Sequence, residues 1–113
     1  WNGFKKERNE IFTFLTKNKI EGVVLMSAVR HRSDLWKIDR PGDYALYEFN
    51  SSRLTNQHVH KTMEAAIFSY NAKQSFGTVD FDTTAADPTA TYRIHTIDGE
   101  QVFQHTVKRS ELN

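Results

Sequence analysis

Three features predict an α/β layer followed by an antiparallel β meander. Apolar residues near the N-terminus recur at helical spacing among charged ones. An unbroken apolar run, Val23-Val24-Leu25-Met26, follows Gly22. Near the C-terminus the hydrophobic period falls to two around an Asp-Gly pair, the strongest short-range hairpin signal. The 113 residues suit a single sheet-based domain, or a portion of one.

Phe4, Ile11, Phe14 and Leu15 set the first period, with Lys5, Glu7, Arg8 and Glu10 between them. A helix from about Phe4 to Asn18 with one buried stripe follows. Lys17 and Lys19 suit its C-terminal dipole, and Asn18 suits a left-handed cap. Val23 to Met26 is expected to be a central strand covered on both faces, because such strands carry unbroken apolar runs. Ser27 to Asp43 reads as polar, ending at the Pro41-Gly42 turn. Tyr44 to Phe49 is a second strand rich in residues that fit a pleated surface.

Asn50 to Asn56 reads as loop. Met63, Ala66, Ile67 and Tyr70 lie at helical spacing, so Val59 to Tyr70 is expected to be a short helix. From Ser75, Val79 and Phe81 alternate with Thr78, Asp80 and Asp82, as in a half-exposed strand, which Asp87-Pro88 breaks. Two strands then run from about Thr89 to Ile97 and from Glu100 to Lys108 across Asp98-Gly99. A two-residue loop there places Ile97 opposite Glu100 and Tyr92 opposite His105. Tyr92, Ile94, Phe103, His105 and Val107 share the face that suits the core, and Arg93, His95 and Gln104 share the other.

Composition excludes several classes of function. Fifteen Lys+Arg against fourteen Asp+Glu give a formal charge of +1, which argues against a nucleic-acid binder, whose phosphate contacts need a cationic excess. The absence of Cys removes disulfides, thiolate zinc sites and cysteine nucleophiles together. The longest apolar run falls far short of the roughly 20 residues of a membrane-crossing helix. No signal peptide precedes Lys5-Lys6-Glu7-Arg8, and a start at Trp1 inside a helix reads as an excised or processed piece.

Three groups carry candidate chemistry. Ser27-Ala28-Val29-Arg30-His31 follows the apolar strand, and α/β sheets bind ligands beyond the carboxyl ends of their strands. A neutral imidazole there can take a divalent metal, and Arg30 can hold a phosphate oxygen. The alternative is a polar loop whose Arg and His are solvated. His58-Val59-His60 can chelate through two rings on one side of an extended backbone, but no further ligand is adjacent. These two are expected to be solvent-exposed loop histidines. Asp80-Phe81-Asp82-Thr83-Thr84 has the Asp-x-Asp-x-Thr spacing of dehalogenase-like phosphatases, yet lies on a hairpin with no doubly wound sheet. It is expected to be the solvent face of an edge strand. Trp36, Tyr44, Tyr47 and His105 are expected to be packing residues rather than a stacking platform or ligands.

Read together, Trp1-Asn2-Gly3-Phe4, Glu7-Arg8, Ile20 to Ser27, Arg30-His31, Asp34-Leu35, Tyr47-Glu48-Phe49, Ser51-Ser52, Ser75-Phe76-Gly77 and Val79 to Asp82 resemble one family in order and spacing. It is the PhoD-like phosphodiesterase/alkaline phosphatases of the metallophosphatase superfamily. Nearly the whole chain resembles the family's C-terminal part.

The resemblance implies a calcineurin-like α/β sandwich holding metal ions, divalent or trivalent, and a phosphoester substrate outside the cytoplasm. The family's Gly-Asp-x-His aligns with Ala28-Val29-Arg30-His31, which implies a metal role for His31 and a phosphate-binding role for Arg30. Val29 stands where an Asp is expected, and the family's upstream ligands would precede Trp1. The expectation is therefore a C-terminal segment of a PhoD-like enzyme, with no residue catalytic by itself. Alone it is expected to be inactive and to bind metal weakly if at all. Apolar surface left uncovered would favour self-association. The competing expectation is a non-catalytic β-rich binding or interaction module with a degenerate metallophosphatase fold.

Overall fold

The computed structural model describes residues 2–113; Trp1, part of the N-terminal motif, lies outside them. A 3₁₀ turn, Asn2–Phe4, leads into helix α1, Lys5–Lys17. Seven strands follow: β1 Val24–Ser27, β2 Ser33–Arg40, β3 Asp43–Asn50, β4 Phe68–Tyr70, β5 Ser75–Asp82, β6 Thr89–Thr96 and β7 Gln101–Lys108. They form a four-stranded sheet in the order β1-β3-β2-β4 and a three-stranded sheet in the order β5-β6-β7. The class is α/β, with one helix and two mostly antiparallel sheets among the described residues. The expected C-terminal meander is present.

The helix ends in a Schellman motif: Ile20 N–H donates to the Leu15 carbonyl at 2.9 Å and Lys19 N–H to Thr16 at 3.1 Å. The left-handed residue is Lys19 (φ 51), not Asn18 (φ −95). Asn18 instead caps Phe14 O with its side-chain amide at 2.8 Å. The expected buried stripe is also corrected. Leu15 packs against the core together with Phe12, whereas Phe4, Ile11 and Phe14 are exposed.

β1 pairs only with β3, in parallel, so Val23 to Met26 lies at an edge rather than in the centre. The apolar run does mark parallel pairing. It does not show that both sides of the strand are covered, and Met26 is 61% exposed. β2 occupies much of the stretch that reads as polar. The buried charges at its two ends are paired within the fold: Arg32, just before it, and Asp34 form an ion pair at 2.7 Å, and Arg40 bonds the Tyr44 carbonyl. Buried charge of this kind hides a strand from a hydrophobicity reading.

Val59 to Tyr70 is not helical. Phe68–Tyr70 pairs with Ser33–Leu35, and Ile67 N–H donates to the Leu35 carbonyl. The helical stripe lacks a surface to cover, since Met63 and Ile67 remain exposed. The β6–β7 hairpin keeps Tyr92 opposite His105, but its tip is a three-residue loop in which Thr96, not Ile97, faces Glu100. Gly99 (φ 81) supplies the left-handed position, and an irregularity beyond Ile94 restores the register.

The sheets share one core of Leu35, Leu46, Tyr47 and Phe49 against Tyr92, Ile94 and Val107. Phe49 stacks on Tyr92 at 4.8 Å, and Tyr92 Oη donates to the Asn50 carbonyl at 2.7 Å. Tyr44 and Tyr47 belong to the core, Trp36 is half-buried and donates from Nε1 to Asp34, and half-buried His105 lies against the Tyr47 ring. No helix among the described residues is long and apolar enough to cross a membrane.

Candidate metal centre

Parallel pairing of β1 with β3 brings their carboxyl ends to the same end of the sheet. Ser27 lies beside Asn50, and Ser51 N–H donates to the Ser27 carbonyl at 3.1 Å. The loops after both strands therefore leave together. The first carries Ala28-Val29-Arg30-His31, and the second carries Ser51 to Ile67 with His58 and His60.

The first loop is sharply bent. Val29 (φ 81) and His31 (φ 48) both adopt left-handed backbone, a genuine outlier for a β-branched residue. His31 N–H donates to Ser52 Oγ at 3.1 Å, tying the two loops at their bases. The second loop then folds back over the first. The His60 ring bonds the Arg30 carbonyl through Nδ1 at 2.5 Å, and Asn71 Nδ2 donates to the His60 carbonyl at 2.9 Å. Asn56 Nδ2 meets His31 Nε2 at 3.1 Å.

These bonds bring together His31, His58 and His60, each with one ligand nitrogen within 4.8 Å of the others. Their ring centroids are 5.1–5.6 Å apart. His31 and His60 are half-buried and His58 is exposed. His31 lies in the expected strand-end loop. Of His58 and His60, both expected to be solvent-exposed loop histidines, His58 is exposed but His60 is half-buried, and both rings lie beside His31, because the strand pairing brings their loops together. Val29 is 79% exposed and offers no ligand atom. Arg30 is exposed and takes part in none of the ion pairs found among the described residues.

The neighbouring polar centre had no clear sequence signal. Asp34 is fully buried, bonded by Arg32, by Ser69 Oγ at 2.5 Å and by Trp36 Nε1 at 3.2 Å. Opposite charges two residues apart are a readable sign once the stretch is known to be a strand. This network braces the start of β2, next to the histidine loop. Asp80 and Asp82 fill the expected structural role. Asp80 pairs with Arg93, and Asp82 caps Thr84, whose hydroxyl and backbone N–H hold its carboxyl below the ordinary range. Comparison with family models, curated proteins and solved structures finds no match to this chain.

Proposed function

We propose that the chain is the C-terminal part of a PhoD-like phosphodiesterase/alkaline phosphatase with a calcineurin-like sandwich. In this reading the segment contributes His31 to the metal centre of a longer phosphoester hydrolase and is inactive alone. The observation that carries the reading is the position of His31, on a left-handed turn at the carboxyl end of a parallel strand. A neutral imidazole fits a divalent metal, and Val29 does not. Aspartate is several-fold enriched at left-handed positions, so the geometry at Val29 suits the Asp of the resembling motif. The open edge of β1 and the exposed Phe4, Ile11 and Phe14 also support a larger α/β layer.

A metal ion in such a centre supplies Lewis acidity and hydroxide near neutral pH. His31 would hold it, and the exposed Arg30 would clamp two phosphate oxygens in a bidentate contact. Val29 favours the second reading, a binding module that kept the fold and lost the chemistry.

Assays on phosphomonoesters and phosphodiesters with calcium, manganese, zinc or iron separate the two. The isolated chain should give no turnover. The parent protein should turn substrate over and lose at least about a hundredfold with His31→Ala. Parent turnover indifferent to His31→Ala would overturn the assignment, and a parent inactive with every metal would favour the binding module.

A further inference from the structure

We propose that His31, His58 and His60 form a metal site complete within this chain, suited to zinc or another late first-row divalent ion. The inference does not rest on the phosphatase reading, whose motif gives a metal role to His31 alone.

Three imidazoles and no carboxylate select zinc, copper or nickel over calcium or magnesium, which prefer oxygen. Three protein ligands leave a fourth tetrahedral position for solvent or an anion. Zinc–nitrogen bonds of about 2.0–2.1 Å put tetrahedral donors about 3.4 Å apart. The nitrogens, all within 4.8 Å, therefore need to close by at most about 1.4 Å.

The outer contacts have the form a ligand set requires. A carbonyl oxygen can only accept, so the Arg30 carbonyl fixes the His60 proton on Nδ1 and leaves the Nε2 lone pair free. At His31, Nε2 is engaged by Asn56, while Nδ1 is buried without a partner. Buried polar atoms are rarely left unpaired. With the Asn56 amide turned over, its oxygen accepts a proton from His31 Nε2, and the Nδ1 lone pair becomes available to metal. Asn56 is thus a positioning residue.

The test is calorimetric titration of the chelator-stripped chain with zinc chloride near neutral pH, with cobalt absorption reporting coordination number. One zinc ion per chain, a tetrahedral cobalt spectrum and a melting temperature that rises with zinc concentration are expected. His58→Ala and His60→Ala should each weaken binding at least about tenfold, and Asn56→Ala by about 10–100-fold. Ring-nitrogen NMR of the unaltered chain should show zinc shifting His31, His58 and His60 while leaving His95 and His105 unmoved, so the test survives a variant that fails to fold. Zinc affinity unchanged in the His58 and His60 variants, no measurable binding, or shifts confined to other histidines would overturn the proposal.

Discussion

Val29 carries a cost that its side chain does nothing to recover. A left-handed conformation puts Cβ against the following carbonyl at about 1–2 kcal/mol, and β-branching adds to the crowding. The side chain is 79% exposed, so little packing offsets this. Asparagine tolerates the same φ without the added unfolded-state entropy of glycine. Val29→Asn is therefore expected to stabilise the chain by about 1 kcal/mol in urea denaturation, with an unchanged m value. Loss of stability would show that Val29 packs in a way its exposure conceals. Among the site residues, the place of His31 was legible, because an unbroken apolar strand announces its own carboxyl end. The arrival of His58 and His60 was not. It depends on β1 pairing directly with β3, past β2 in the chain, whose charged residues concealed that strand.

At the scale of elements, period-two segments were read more faithfully than polar ones. β5, β6 and β7 are strands where the period of two predicts them, β3 is one where residues suited to a pleated surface predict it, and Asp98-Gly99 marks the hairpin, though not its loop length. β2 was missed because Arg32 and Asp34 bury their polarity in one another, which hydrophobic periodicity cannot register, and β4 because Met63, Ala66, Ile67 and Tyr70 fall at a helical period. The C-terminal connection depends on charge in a different way. Asp87 accepts from Ser110 Oγ at 2.6 Å and Ser110 N–H at 3.0 Å, fastening the β5–β6 connection to the final turn. The Ser110 hydroxyl, then its backbone N–H, hold the Asp87 carboxyl below the ordinary range. Thr16 and Thr84 do the same for Asp43 and Asp82. A folded-state value below the unfolded one gives stability that is complete above about pH 3.9 and is lost as pH falls through the folded value. Melting temperature should therefore decline below about pH 4. In Asp87→Asn the protein should melt lower near neutrality and decline less steeply with acid. An identical slope in that variant would exclude Asp87 as a contributor.

At the scale of the whole molecule, the two sheets are locked where Tyr92 of β6, beside β5, meets β3. The Tyr92 ring stacks on Phe49, and its hydroxyl is held by the Asn50 carbonyl. Burial pushes that hydroxyl's pKa upward and keeps it protonated as a donor. Ser33 and Ser75 hydroxyls meet at 2.9 Å, and Phe68 stacks on Phe103 at 4.1 Å, so the sheets are joined at several points. Gly77 permits the closest approach. A Cβ there would lie 2.5 Å from Tyr92 Cε2 and 3.1 Å from Ser51 Cβ. Tyr92 is held at both ring and hydroxyl, so β5 itself must move away. Gly77→Ala should cost about 1–3 kcal/mol, the range for overpacking a filled interior. Gly3→Ala, with nothing within 4 Å of its Cβ, should change stability by less than about 0.5 kcal/mol. Because the sheets share one core, tryptophan fluorescence and far-ultraviolet dichroism should report the same lowered urea midpoint for Gly77→Ala, in a single transition. Two separated transitions would mean that the sheets fold independently, and an unmoved midpoint would mean that the lock lies elsewhere.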